Sequence, residues 1–405
     1  MQNITRSYLV DYIRTPIGSF GGSLSPVRPD DMAALVIKEI LHRNPSLPQG
    51  HVEDVILGNA NGAGEENRDV ARMSLLLAGM PWSVPGETVN RLCSSGLAAV
   101  VNSDRAIKLG DGGAYIAGGV ESMSRAPFVV AKSPSAWSRK AEMYDTSIGW
   151  RFVNPKLKER FGTDAMGETA ENLVEKFGIS RESQDSFAYN SQMKATEAQK
   201  NGRLAKEILP IAIPQRKGDD IIVDKDEFIR PTTTIEKLST LRAAFKKDGS
   251  VTAGNSSGVN DGAAALLLAS HDTCQEYDLK PKARILSSAV VGVEPRIMGI
   301  GPVEAVRKAL TKANLSFEDI DLIELNEAFA AQSLSCIREW GLEDNDPRIN
   351  PNGGAIALGH PLGMTGARLA GTAMLELEIQ DKEFAVVTMC VGVGQGYAAV
   401  IERIA

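Results

Sequence analysis

The feature that most constrains the fold of this chain is a recurrence. In the first 122 residues an apolar strand over 6–12 leads to a helix over 31–43. VEDVILGNANGAG then gives a strand running to Asn59 and a glycine loop. Helix-like DVARMSLLLAG follows, then the turn and apolar run VNRLCSSGLAAVV (89–101), then GGAYIAGGVESMS, a buried strand closing on glycines. The same order returns after residue 280. A helix beginning at Pro302 carries Val303, Val306 and Leu310 on one face, and DLIELNEAFA follows it. INPNGGAIALGHPLGMTGARLAGTAML is again a glycine-rich turn into a helix, and AVVTMCVGVGQG is again a buried strand ending in glycines. Asp54 to Asn59 and Asp321 to Asn326 share the spacing of an aspartate, two aliphatics, two residues and an asparagine. Two similar halves are therefore expected, each alternating strands and helices, in an α/β fold with a largely parallel sheet. Within the first helix the spacing places Met32, Leu35, Val36 and Ile40 on one face, with Asp30 or Asp31 as its cap.

Between the halves lies a different texture. Residues 123–250 hold loops with proline and tryptophan (RAPFVVAKSPSAWSRK), a polar helix (SRESQDSFAYNSQMKATEAQKNG) and a β-like patch (IIVDKDEFIRP). From 125 to 250 there are 22 Lys+Arg against 18 Asp+Glu, a net +4 on a chain of net charge −7. This balance fits either a docking surface for an anionic ligand or ordinary charged, exposed helices. SVTAGNSSGVNDGAAALLLAS then returns to a small-residue loop and an apolar strand; such a loop is an ordinary turn or a place where backbone amides approach a ligand. The expected division is a first half over 1–122, completed by about 251–279, an inserted domain over 123–250, and a second half over 280–405.

The negative charge argues against general nucleic-acid binding, and no apolar run approaches the roughly 18 residues that cross a membrane. Asp11 and Arg14 interrupt what would have to be a signal-peptide core, and the ERIA end carries no peroxisomal tripeptide. Cysteines 93, 274, 336 and 390 are far apart, with no CxxC pair, so neither a disulfide framework nor a metal site is expected. A cytoplasmic protein with reduced thiols follows.

Cys93 stands where a helix begins. First-turn amides lack internal partners and favour a thiolate, which makes it a candidate nucleophile, although a small buried hydrophobe fits the same position. Of the four histidines, His42, His51 and His271 sit near element ends. His360 alone lies between glycines, in GGAIALGHPLGMTG, as a base for a cysteine would. Cys390 ends a buried strand where glycines open space. Asn326 and Glu327 end another strand, at the sheet edge where α/β proteins bind ligands.

These motifs resemble those of the thiolases, acyl-CoA:acyl-CoA C-acyltransferases of the condensing-enzyme superfamily. The shared stretches are NRLCSSG, VTAGNSSGVNDGAA (251–265), NEAFA (326–330), NPNGGAIALGHPLGMTGAR (350–368) and CVGVGQG (390–396), in family order. The resemblance implies a thiolase fold, two pseudo-equivalent halves in alternating α/β/α/β/α layers with an inserted loop domain that grips coenzyme A. It implies that Cys93 carries the acyl group, His360 activates it, Cys390 moves the proton at the attacking carbon, and Asn326, through a water, joins His360 in stabilising the thioester oxyanion. By the same resemblance Ser257 and Gly258 pass the pantetheine arm, Arg230 lies near the nucleotide, Met166 and Phe329 line the acyl pocket, and Gly392 contacts substrate. Coenzyme A and acetyl-CoA enter as substrates, with no permanently bound cofactor or metal, and the chain is expected to assemble as a homotetramer or homodimer.

The departures are informative. Ala165, Met166 and Gly167 stand where many acetoacetyl-CoA thiolases carry His-Met-Gly, Val393 replaces a frequent glycine, and Ser94 is unusual beside the nucleophile. GEENRDVARM, DTSIGWRFVNP and RIMGIGPV, with CVGVGQG, resemble the branch acting on 3-oxoadipyl-CoA. Such a substrate ends in a carboxylate, for which Arg151, or failing it Arg72, is the candidate partner. A general acetoacetyl- or 3-ketoacyl-CoA thiolase is the alternative. An acyl-CoA hydrolase using Cys93 and His360, or a silent acyl-CoA or lipid carrier, are more distant ones.

Overall fold

The computed structural model describes residues 5–404, so the last residue of the ERIA end lies outside it. The first half contributes strands β1 (Ser7–Arg14), β2 (Asp54–Gly58), β3 (Gly86–Val89) and β4 (Ala114–Ser122), with helices α1 (Pro29–Arg43), α2 (Val70–Leu77) and α3 (Ser95–Leu109). Helices α4 (Met166–Phe177) and α5 (Arg181–Lys200) belong to the segment between β4 and β5 (Asn260–Ser270), which also holds two small hairpins. The second half follows with β6 (Ala283–Gly292), α6 (Gly301–Ala313), β7 (Leu322–Leu325), α7 (Ala330–Glu339), α8 (Leu362–Gln380), β8 (Phe384–Val391) and β9 (Gln395–Arg403).

The strands form one ten-stranded sheet in the order β3-β2-β4-β5-β1-β6-β9-β8-β7, with the short strand Gly18–Ser19 beside the start of β5. The halves meet through a single register pair, Leu9 opposite Ala283, between β1 and β6. On either side of that seam the order is the same. β2 runs parallel to β3 and β4, and β7 parallel to β8 and to a bridge at Ile349. β4, β5 and β1 are antiparallel in sequence, as are β8, β9 and β6. The sheet is thus mixed, not largely parallel. The reason lies in the connections: β8 and β9 are joined by residues 392–394 alone, and so short a link permits only an antiparallel pair.

Three apolar cores separate the layers. Helices α3 and α8 pack against each other and against the inner faces of both halves of the sheet. The outer face of the first half is covered by α1 and α2, that of the second by α6 and α7. The close crossing of α3 and α8 depends on glycine. A methyl at Gly96 would meet the Gly363 carbonyl oxygen at 2.6 Å, and one at Gly119 would meet the same oxygen at 2.0 Å. The two helix N-termini therefore lie side by side over the sheet, each bringing its preceding turn to the same place.

Helix α1 departs in detail from its sequence pattern. Met32, Val36 and Ile40 are buried as the periodicity predicts, but Leu35 is exposed and Ile37, not named by that spacing, is buried. Neither Asp30 nor Asp31 caps the helix. Arg28 is the cap residue, Pro29 opens the first turn with its fixed φ, and Asp30 accepts an ion pair from Arg28 at 2.8 Å.

Candidate active site

Cys93 lies two residues before α3, and the turn that presents it is strained. Leu92 has φ 47°, a left-handed conformation that costs an L side chain energy. The turn is tied by Ser95 Oγ, which donates to Leu92 O at 2.6 Å and accepts from Arg91 N at 2.8 Å, and by Leu92 N donating to Asn90 Oδ1 at 2.8 Å. Cys93 is partly buried, and burial pushes its thiol up, partly countered by the N–H groups of Gly392 and of Cys93 itself. Desolvation thus outweighs the helix terminus, so the resting group is a thiol that needs a base. The N–H groups of Gly392 and of Cys93 itself, one from each half, lie near enough to favour negative charge at this sulfur.

His360 comes from the turn before α8. Gly359 adopts φ 106°, and a side chain there would collide with Asn260 at 2.5 Å. Asn260 in turn fixes the histidine backbone, its Oδ1 accepting from His360 N at 2.9 Å. The ring's protonation follows from its neighbours. Thr365 Oγ1 donates its one hydrogen to Pro361 O at 2.8 Å, so the 2.7 Å contact with His360 Nδ1 is an N–H donated by the ring. Nε2 then carries the lone pair. Burial, reinforced by the charge of Arg368, lowers the imidazole pKa to about 3, so the ring is neutral near neutral pH.

Asn326 follows β7, and its Nδ2 faces His360 Nε2 at 3.4 Å while its buried Oδ1 has no partner among the described residues. Cys390 is near the end of β8. Burial holds its thiol well above the ordinary range, and a negative charge on Cys93 or Cys336, were either to ionise, would raise it further. Cys390 therefore rests protonated. Gly392, two residues on, leaves room for its neighbours, since a methyl there would meet Leu92 Cδ1 at 3.3 Å and Met166 Sδ at 3.9 Å.

The binding residues named from the sequence fall around this centre. Ser257 N donates to Ala328 O at 2.9 Å and Ser256 bridges to Phe329, which sets the NSSG loop against the NEAFA segment. Phe329 meets Phe245 edge to face at 6.0 Å between centroids, and Phe245 packs on Gly167 beside Met166. A methyl at Gly258 would meet the Phe228 ring at 2.7 Å, and the exposed Arg230 lies over that ring at 5.4 Å. Arg151 donates to Asn61 Oδ1 at 3.1 Å, whereas Arg72 is spent on the backbone carbonyls of Trp82 and Val84.

Several residues escaped the sequence reading. Thr365 and Asn260 lie within quoted motifs but show their purpose only through His360. Phe245 gave no signal. Glu121 is buried and accepts from Ala60 N at 2.8 Å, Asn61 N at 3.1 Å and Gly363 N at 2.8 Å, holding the loop after β2 against the start of α8. Glu327, expected at the ligand edge, is a buried tie, accepting from Ser191 at 2.6 Å, Asn350 at 2.7 Å and Ile356 N at 3.2 Å. Among the described residues no group of three or more His, Cys, Asp or Glu is placed to hold a metal, and no helix is long and apolar enough to cross a membrane.

A fold of two matched halves, with a cysteine before one central helix and a histidine before the other, defines the class, and the chain belongs to the thiolase family. Its residues 7–272 match the thiolase N-terminal domain and 279–403 the thiolase C-terminal domain. It is therefore an acyltransferase acting on CoA thioesters. It is 58% identical over 398 residues to the 3-oxoadipyl-CoA/3-oxo-5,6-dehydrosuberyl-CoA thiolase of Escherichia coli K12, covering 98% of this chain and 99% of that one. It is 56% identical, with the same coverage, to a beta-ketoadipyl-CoA thiolase of Acinetobacter baylyi. The crystal structure of the Bacillus anthracis acetyl-CoA acetyltransferase superposes with a TM-score of 0.93 over the whole of both chains at 40% identity.

Proposed function

We propose that this chain cleaves 3-oxoadipyl-CoA with coenzyme A, giving acetyl-CoA and succinyl-CoA through an acyl group held on Cys93. The observation that carries the reading is the meeting of the two helix-start turns. It brings the Cys93 thiol, the nearby N–H groups of Gly392 and Cys93, and a neutral imidazole whose Nε2 carries its lone pair into one site. In the first half-reaction His360 Nε2 takes the Cys93 proton and the sulfur attacks the 3-keto carbon. The bond to the α-carbon breaks, and Cys390, protonated at rest, delivers its proton to the departing acetyl-CoA enolate. The enolate oxygen is held by His360, now a donor, and by Asn326 through a water. In the second half-reaction the Cys390 thiolate takes the proton of coenzyme A, whose sulfur displaces the acyl group, and Cys93 recovers its proton from His360. The N–H groups of Cys93 and Gly392 hold the tetrahedral oxygen in both steps. Ser257, Gly258 and Arg230 line the path of coenzyme A, and Met166 and Phe329 the acyl group. The same residues run the condensation in reverse.

The substrate assignment draws on the two relatives named for 3-oxoadipyl-CoA or beta-ketoadipyl-CoA. Thiolysis of 3-oxoadipyl-CoA, acetoacetyl-CoA and a long-chain 3-ketoacyl-CoA, measured side by side, tests it. The highest kcat/KM belongs to 3-oxoadipyl-CoA on this account, and a higher value for either other thioester refutes it. Acyl-CoA hydrolysis without acetyl-CoA release would instead indicate a hydrolase.

A cytoplasmic location fits the four free thiols. Homotetramer or homodimer assembly is supported by two surfaces. β3 leaves one edge of the sheet unpaired, and the hairpin of Phe128–Val130 with Met143–Asp145 exposes Phe128, Trp137 and Met143.

A further inference from the structure

Arg296, Arg72 and Arg151 differ in what their side chains hold. Arg296 is paired with Asp164 at 2.9 Å, and Arg72 is committed to carbonyl oxygens at the outer edge of the first half. Arg151 differs from both. It is half-buried, and its one side-chain hydrogen bond among the described residues is Nη2 to Asn61 Oδ1, with no carboxylate partner. A guanidinium has five N–H donors, so most of its fork is left for an anion.

Its position follows from what Asn61 and its neighbours hold. Asn61 also donates from Nδ2 to Thr146 Oγ1 at 3.1 Å, and its backbone N–H goes to Glu121. Ala60, beside it, accepts from Asn90 Nδ2 at 2.9 Å, and Asn90 positions the Leu92–Cys93 turn. On the other side, Trp150 Nε1 donates to Asp164 O at 3.2 Å, two residues before Met166. The Trp150–Arg151 segment thus lies between the loop after β2, which Asn90 ties to the nucleophile's turn, and the residues just before the helix that brings Met166. It does so through an uncommon backbone, with Gly149 at φ 86° and Phe152 at φ 51°.

We propose that Arg151, braced by Asn61, binds the terminal carboxylate of a dicarboxylic 3-oxoacyl-CoA and so sets the preference for that substrate class over neutral acyl chains. This rests on the substrate reading above and goes beyond it by naming the recognising group. Asn61 takes one N–H and fixes the plane of the guanidinium, while the remaining donors meet the carboxylate in a two-point fork. The reacting carbon is then located from both ends, by Cys93 at the ketone and Arg151 at the tail.

The test compares 3-oxoadipyl-CoA with 3-oxohexanoyl-CoA, which has the same chain length and no carboxylate, on wild type, Arg151→Ala and Arg151→Lys. Wild type favours the dicarboxylic substrate, and Arg151→Ala lowers the ratio of the two kcat/KM values by about thirtyfold, mainly through KM for 3-oxoadipyl-CoA. Arg151→Lys, which keeps the charge and loses the fork, falls between. If Arg151→Ala depresses both substrates equally and leaves the ratio unmoved, Arg151 is only structural and the proposal falls while the substrate reading stands. If wild type shows no preference for the dicarboxylic substrate, both fall. Thermal melting of the three proteins separates a misfolded variant from a selective one, because the ratio is read on folded enzyme alone.

Discussion

The two halves share one plan and divide the work unequally. Register pairing makes the comparison residue by residue. Glu121 lies opposite Gly262 and Cys390 opposite Gly396, each the glycine one step into the returning strand's Asp-Gly or Gln-Gly. Asn59 and Asn326 each follow the second strand of their half and donate from N–H to the neighbouring strand, to Val89 O at 3.1 Å and Thr388 O at 3.0 Å. In the second half these places hold Asn326 and Cys390, around the site. In the first half they hold Asn59, whose amide is spent on Val120 O at 2.9 Å, and Glu121, whose oxygens collect three backbone N–H groups. The connection differs too. Where the second half turns in residues 392–394, the first leaves the sheet for 123–259 before returning. A duplicated scaffold has thus kept its packing twice. On the proposed mechanism it supplies the nucleophile and the binding segment from one half, and the proton-handling groups from the other.

Substitutions at the paired positions break the comparison most sharply. Cys390→Ala should lower carbon–carbon cleavage by about a thousandfold while Cys93 still accepts an acyl group from acyl-CoA, though more slowly, since a thiolate leaves without a proton donor far more readily than a carbanion does. Equal loss of both reactions would place Cys390 in packing instead.

At the counterpart, Glu121→Gln is read as stability against pH. Burial raises the Glu121 pKa to about 7 in the folded chain, above its ordinary value near 4.5. Between those values the folded state holds a proton that the unfolded state has released, so wild type loses stability from this group as pH rises through the window. Glutamine cannot ionise, but its NH2 opposes one of the three N–H donors. The variant is therefore less stable at pH 5, and the gap closes by a few kcal/mol toward pH 8 in denaturant titrations. A gap that stays constant from pH 5 to pH 8 would mean the three amides hold a carboxylate throughout.

The smallest effect belongs to the short turn. Val393 stands at φ 63°, a region costly for a β-branched residue, and Val393→Gly should stabilise by about 1 kcal/mol, seen as a higher Tm. A lower Tm would show that the exposed valine makes contacts worth more than its strain.

Much of this was legible in the chain. The recurrence predicted the paired halves, because each half must repeat the same buried faces to pack the same way. Five short motifs marked Cys93, Asn326, His360 and Cys390, because glycines and small residues at strand ends leave room only where something else is to bind. What was not legible depended on distance through space. The mixed sheet came from where the chain turns back without a helix, which periodicity does not record. The Arg28 cap came from Pro29 displacing the aspartates. The resting protonation of Cys93 came from burial, against the expectation that a helix start favours thiolate, and that of Cys390 came from burial in its strand. Thr365, Asn260 and Glu121 act on groups far from them in sequence or through a single hydrogen bond, and no spacing rule reaches them.

The central claim is that the nucleophile of the first half carries the acyl group and the thiol of the second half does not. Incubating the Cys390→Ala protein with succinyl-CoA, digesting it and reading the peptides by mass spectrometry tests this directly. The account predicts a succinyl group on Cys93, absent from the Cys93→Ser protein. A succinyl group on Cys390 of wild type with none on Cys93, or no acylated cysteine in either protein, would contradict it.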